Sequence, residues 1–177
     1  MRMTNILAAT AFVVAASGCW QEAKATDQLD ITVGLKTLPL LANKIASPAP
    51  VGIVFDPANG ASKADADAIK AAIDGGLEGP GGVKLTGQMV AVSDLGKLSG
   101  AKIVILAAGV GKGSFDAIAT ASSGALTLST DLDCVKSNKC VLGIVSKPAV
   151  EIYFSKAAAD AAHIGFAAAF AMLAKPV

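Results

Sequence analysis

Residues 51–56 read VGIVFD and residues 62–76 read SKADADAIKAAIDGG. The first run is almost wholly apolar, is rich in β-branched residues and stops at Asp56-Pro57. That is the pattern of a strand buried on both faces. The second opens on Ser62, a candidate N-cap with Asp65 three residues on, and stops at Gly75-Gly76. Those are the start and stop signals of a helix. Strand followed by helix makes one βα unit, and the rest of the chain is read outward from it.

Downstream the unit repeats with less regularity. Residues 83–92 (VKLTGQMVAV) form a second strand candidate, SDLGKLSG a short helical connection, and AKIVILAAG (101–109) the most apolar strand. KGSFDAIATASSG then reads as a short helix closed by Gly124, and ALTLSTD as a fourth strand. VLGIVSKPAVEIYFS divides at Lys147-Pro148 into a hairpin. Residues 157–174 are apolar but interrupted by Asp160, His163 and Gly165, so they read as a packed amphipathic segment rather than a membrane span. Upstream, ITVGLKTLPLLANKIA (31–46) has near-helical apolar spacing that Pro39 must start or kink. This rhythm predicts a single small α/β domain over residues 26–177. Its sheet is mostly parallel with helices on both faces, and it ends in a C-terminal β-hairpin plus helix.

The chain opens MRMTNILAATAFVVAASGCWQEAKATDQ. A basic residue, a short apolar run and Ala23-Lys24-Ala25 have the layout of a secretory signal over residues 1–25, with cleavage before Thr26. A second processing reading competes, because ASGC ending at Cys19 is similar to a lipobox and would leave Cys19 as a lipidated anchor. Both readings place the protein outside the cytoplasm.

Composition narrows the function classes. The chain carries 15 Lys plus Arg against 14 Asp plus Glu, a net charge of +1. No basic patch interleaved with aromatics appears, so a nucleic-acid partner is not expected. Hydrophobic residues make up 53% and aromatics only 5%, which means a core of Ala, Val, Ile and Leu. A homodimer and a small ligand are both compatible with such a chain.

Cys19 is one of three cysteines. Its loss or acylation leaves Cys134 and Cys140 as the available thiols. In an exported protein these are expected to pair as a disulfide closing a short loop. Lys136 and Lys139 within the loop keep a redox-sensitive bond open as a second reading. Cys-x5-Cys is wider than the usual structural zinc spacing. With one histidine in the chain, no metal site is expected.

Candidate ligand positions lie where strands end. GVGKGS (109–114) follows a buried strand and opens a helix, where backbone amides gather. It lacks the phosphate-loop pattern, because Leu106 and Gly113 stand at required positions. It lacks the dinucleotide pattern as well, with Ser114 at the third glycine, so no nucleotide cofactor is expected. Gly109, Gly111, Lys112 and Ser114 remain candidates for a small anion, as does Asp56 at the end of the first strand. Turn chemistry at Asp56-Pro57 and Asn59-Gly60 is the competing explanation. A hydrolytic mechanism would have to run through His163, whose setting suits a left-handed helix stop. No catalytic residues are assigned and the protein is not expected to be an enzyme.

The C-terminal order of ALTLSTD, the hairpin CVLGIVSKPAVEIYFS and the Ala-rich KAAADAAHIGFAAAFAMLA resembles the ending of the YfiR-like periplasmic proteins. The upstream order LLANKI, PVGIVFD, GAKIVILAAG is similar in outline. Ser155 and His163 stand where that family usually has Asn and Gly, and a second disulfide known there has no cysteines here. The resemblance implies a non-enzymatic periplasmic regulator. Such a protein restrains an inner-membrane signalling protein by contact, a diguanylate cyclase or a sensor kinase, and in the first case influences cyclic di-GMP output. The alternative is a ligand-binding module similar to one lobe of a periplasmic binding protein.

Overall fold

A computed structural model describes residues 24–177; the expected leader up to Ala23, and Cys19 within it, lie outside the described residues. Eight strands form one sheet: β1 (Ala49–Phe55), β2 (Glu78–Gly79), β3 (Val83–Ala91), β4 (Ile103–Leu106), β5 (Leu126–Ser129), β6 (Leu142–Val145), β7 (Glu151–Phe154) and β8 (Lys175–Pro176). Their order is β2-β3-β1-β4-β5-β6-β7-β8. The pairs β3/β1, β1/β4, β4/β5, β5/β6 and β7/β8 are parallel, while β2/β3 and β6/β7 are antiparallel. The expected mostly parallel sheet and terminal hairpin are present, and the short β2 and β8 extend its two edges.

The helices are α1 (Gln28–Leu35), α2 (Gly60–Asp74), α3 (Phe115–Ala121), α4 (Leu132–Lys136) and α5 (Lys156–Ala161). Alternation along the strands sends side chains to opposite faces. Val51 and Ile53 of β1, with Ile103 and Ile105 of β4, pack with Ile31 and Leu35 of α1 and Ile69 and Ile73 of α2. Val54, Val104 and Leu106 pack instead with Leu98, with Phe115 and Ile118 of α3, and with Val135 of α4. Helices therefore cover both faces, which explains why these strands read as unbroken apolar runs. Burying one such side chain contributes about 1.5–3 kcal/mol. Gly52 makes room for this second layer: a Cβ at that position would collide with the Leu98 side chain.

Several boundaries differ from the sequence reading. The first helix begins at Gln28, capped by Asp27 in a reciprocal box with Asp30, and ends at Leu35. Pro39 sits in a single 3-10 turn, Leu38–Leu40. It cannot donate to a continuing helix. The cap of α2 is Asn59, not Ser62; Asn59 Oδ1 accepts the amides of Ala61 at 3.1 Å and Ser62 at 3.4 Å. Ser62 is fully buried and its hydroxyl accepts the Asp56 amide at 3.1 Å. The cysteine region, read as a loop, includes α4, capped by Asp131.

The segment 157–174 splits as its polar interruptions suggest. Ser155 caps α5, and the helix stops at His163 with φ 57°. The Ile164 amide returns to the Ala159 carbonyl at 2.8 Å. This is a left-handed C-terminal cap. A 3-10 turn, Ala168–Met172, follows. Among the described residues no helix is long and apolar enough to cross a membrane.

Candidate functional site

From β1 the chain crosses to β3 on one side and then to β4 on the other. The connections thus diverge between β1 and β4, and in open sheets of this order ligands bind at the carboxyl ends of the strands beside such a divergence. The turns that meet there are Asp56–Asn59 and Ala107–Ser114. The turn that begins at Asp56 meets the turn at Gly109 here, through Asn59.

The place is filled by the protein's own groups. Asn59 donates its side-chain amide to the Gly109 carbonyl at 2.9 Å. Gly109 has φ +80°, and a Cβ there would lie 2.7 Å from Asn59 Nδ2. The contact therefore needs glycine. Asp65 of α2, only 6% exposed, accepts the Ala108 amide at 2.7 Å on one oxygen and the Thr26 amide at 2.6 Å on the other. Asp56 Oδ1 is used locally, accepting the Ala58 amide at 2.9 Å. That contact is an Asx turn.

The remaining loop residues are directed elsewhere. Lys112 forms an ion pair with Asp133 of α4. The pair raises the Lys112 ammonium and lowers the Asp133 carboxyl, mainly through their mutual hydrogen bond. The Ser114 amide closes a turn onto the Gly111 carbonyl at 2.9 Å. Gly111, Lys112 and Gly113 are exposed.

Asp65 was not recognisable as a site residue from a capping pattern. A usable signal existed: positions 62, 65, 66, 69 and 73 form the buried stripe of α2. An acidic residue on such a stripe requires partners.

Cys134 and Cys140 form a disulfide with Cα atoms 5.3 Å apart. They are 1% and 0% exposed and belong to the layer containing Phe115 and Val135. The bond ties α4 to the start of β6. Lys139, next in chain to Cys140, pairs with Asp116 of α3 at 2.5 Å. Among the described residues no three His, Cys, Asp or Glu side chains gather around a common point suited to a metal ion.

Clefts open at the opposite, amino edge of the parallel strands. One of about 370 Å³ lies between α3 and α5 and is bordered by Asp116, Ser122, Thr127, Asn138 and Lys139. Another of about 310 Å³ is bordered by Lys44, Lys102 and His163. His163 is exposed there, at the helix stop.

No protein-family model matches the sequence, and no curated protein matches it. Among solved structures the chain is similar to the crystal structure of a conserved domain protein from Vibrio cholerae O1 biovar eltor, at 11% sequence identity and a TM-score of 0.50. The match covers 80% of this chain and 56% of that one, so this chain spans little more than half the length of the Vibrio protein. At that identity the likeness concerns the fold alone.

Proposed function

We propose that the protein is an exported, non-enzymatic regulator of the YfiR-like type, acting by contact on an inner-membrane signalling protein, either a diguanylate cyclase or a sensor kinase. The observation that carries this reading is apolar surface at the C-terminal end of the sheet. Met172 is 88% exposed, Leu173 61% and Val150 56%. The stretches bearing them are joined by the Lys175–Glu151 ion pair at 2.6 Å and by the pairing of β7 with β8. Large exposed apolar side chains carried on two paired stretches at one sheet edge are compatible with contact with another protein. The disulfide supports an oxidising compartment such as the periplasm.

The test is cross-linking in intact envelopes, with the captured membrane protein identified and its signalling output measured after deletion. A cyclase or kinase captured by the wild type and lost with Met172→Asp plus Leu173→Asp is the expected result. Capture of neither, with cyclic di-GMP and kinase output unchanged on deletion, overturns the reading.

A second reading, a small-ligand module, is favoured by the convergence of the Asp56 and Gly109 turns beside β1 and β4. Binding there requires the Asn59–Gly109 contact to open. A thermal-shift screen of amino acids and small anions tests it, since a ligand at 100 times its Kd adds about 2.7 kcal/mol. A flat screen removes this reading.

A further inference from the structure

We infer that the amino-edge cleft bordered by Lys44, Lys102 and His163 binds a small organic anion, with a carboxylate or phosphate head at the cationic rim and an apolar body on the floor. The site is separate from the switch-point turns and from the C-terminal apolar surface.

The walls come from four segments cross-linked by backbone hydrogen bonds. Residues 41–46 are tied to the C-terminal segment by the Ala42 amide on the Gly165 carbonyl at 2.8 Å and the Ala167 amide on the Leu40 carbonyl at 2.7 Å. The Gly124 amide reaches the Ala162 carbonyl at 3.1 Å, and the Leu126 amide reaches the Lys102 carbonyl at 3.0 Å. The cleft is thus built from fixed main chain, which lowers the ordering cost of binding.

Its chemistry is one-sided. Leu41 and Leu126 are buried beneath it, and Ile45 and Ile164 are half-buried at its sides. The polar border holds Lys44, Lys102, Asn43 and His163, and no Asp or Glu lines it. Among the described residues eight lysines pair with a carboxylate; Lys44 and Lys102, like Lys36, Lys84 and Lys136, do not, so their ammonium groups are available at the cleft. The volume of about 310 Å³ is enough for a small molecule. An apolar floor with a few convergent polar groups is the usual composition of such a site. His163 adds a separate observation, because it holds φ 57° at a helix stop. Glycine would occupy that stop at lower conformational cost, and the histidine there puts its ring at the border of the cleft.

Calorimetric titration of the purified protein with hexanoate and with phenyl phosphate tests the inference and distinguishes the two head groups. Inorganic phosphate and 1-hexanol serve as head-only and body-only probes. Saturable binding of hexanoate or phenyl phosphate, tighter than either partial probe, is expected. Lys44→Ala and Lys102→Ala should each weaken it about tenfold, the scale of one charge-assisted hydrogen bond. His163→Gly, which the backbone accepts, should weaken it too. Lys136→Ala, at an exposed lysine outside the cleft, should leave it unchanged. Melting temperatures of the unliganded variants verify that these surface changes leave the fold intact. Absence of saturable heat with both organic anions overturns the inference. So does binding that survives the Lys44→Ala, Lys102→Ala double variant, or that falls equally with Lys136→Ala.

Discussion

The side chain of Asn59 holds α2 and Gly109 at once: its oxygen caps the helix through the amides of Ala61 and Ser62, and its nitrogen donates to the Gly109 carbonyl at 2.9 Å. A residue whose sequence context suggests only a turn therefore fixes the distance between the ends of β1 and β4. The crevice that this sheet order makes available is closed by a helix cap.

The two roles of Asn59 are separable. Asn59→Asp retains the capping oxygen but has no donor for Gly109, and should cost about 1 kcal/mol. Asn59→Ala loses both contacts and should cost about 2 kcal/mol. Urea denaturation measures the two values, and equal losses would show that the cap contributes nothing and the Gly109 contact everything.

Asp65 is the more sensitive position. Asp65→Ala leaves the Thr26 and Ala108 amides without their acceptor, at about 1–3 kcal/mol for each buried group. Asp65→Asn keeps one carbonyl acceptor and should lose roughly half as much. Hydrogen exchange at the Ala108 amide should quicken in both variants, and unchanged protection there would contradict the assignment.

The disulfide should behave as a buried staple. Its cysteines are six positions apart in sequence. On the chain-entropy model a loop of that size contributes about 2 kcal/mol. The double variant Cys134→Ala, Cys140→Ala should be destabilised by at least this amount, because packing is lost as well. Both residues are at most 1% exposed. Reduction of the native protein should therefore proceed only as fast as local opening. Rapid reduction under native conditions would revive the redox-sensitive reading.

Acid should weaken the entry to α1. The Lys147 ammonium, 2.7 Å from the Asp27 carboxylate, is the main cause that lowers its pKa from 3.8 to about 2, with the Asp30 amide next. A folded-state pKa below the unfolded one stabilises the fold above the unfolded value and is lost as pH falls through the folded one. For Asp27 that contribution is present above pH 3.8 and fades toward about 2. Asp27→Asn should therefore flatten the pH dependence of stability in this acidic range. Lys147 is largely exposed. Added salt should accordingly shrink the difference. An identical acid profile in the variant would exclude the pair as its source.

Much of the fold was legible because the central strands are buried on both faces, which turns each into an apolar run that position and Gly or Pro punctuation delimit. β4 follows directly from that, while the hairpin of half-buried β7 with β6 is marked by the break at Lys147-Pro148. The left-handed stop at His163 was legible from local conformation alone. What was not legible depended on tertiary partners. β2 and β8 are two residues each and exist only by pairing with β3 and β7. Lys112 shows the same limit at the candidate site: its position in a glycine-rich turn suits an anion, but its partner is Asp133, which only folding brings near. Likewise Lys44, Lys102 and His163 stand in three separate segments, and nothing in their spacing announces one cleft.

The C-terminal segment depends on one aromatic cluster. Phe170, 1% exposed, stacks on Phe166 with ring centroids 4.0 Å apart and meets the edge of Phe154 at 5.1 Å. Phe154 belongs to β7, so the cluster joins the 3-10 turn to the sheet beside the face covered by α1 and α2. Phe170→Ala should cost about 3–5 kcal/mol, the scale for removing a buried ring. Phe166→Ala should cost less, because Phe166 is half-buried. If the ring fastens residues 164–177, proteolysis in that stretch should begin at lower denaturant in the Phe170 variant than global unfolding does. A single coincident transition with no loss of stability would show that the segment is held by its backbone contacts to residues 40–42 instead.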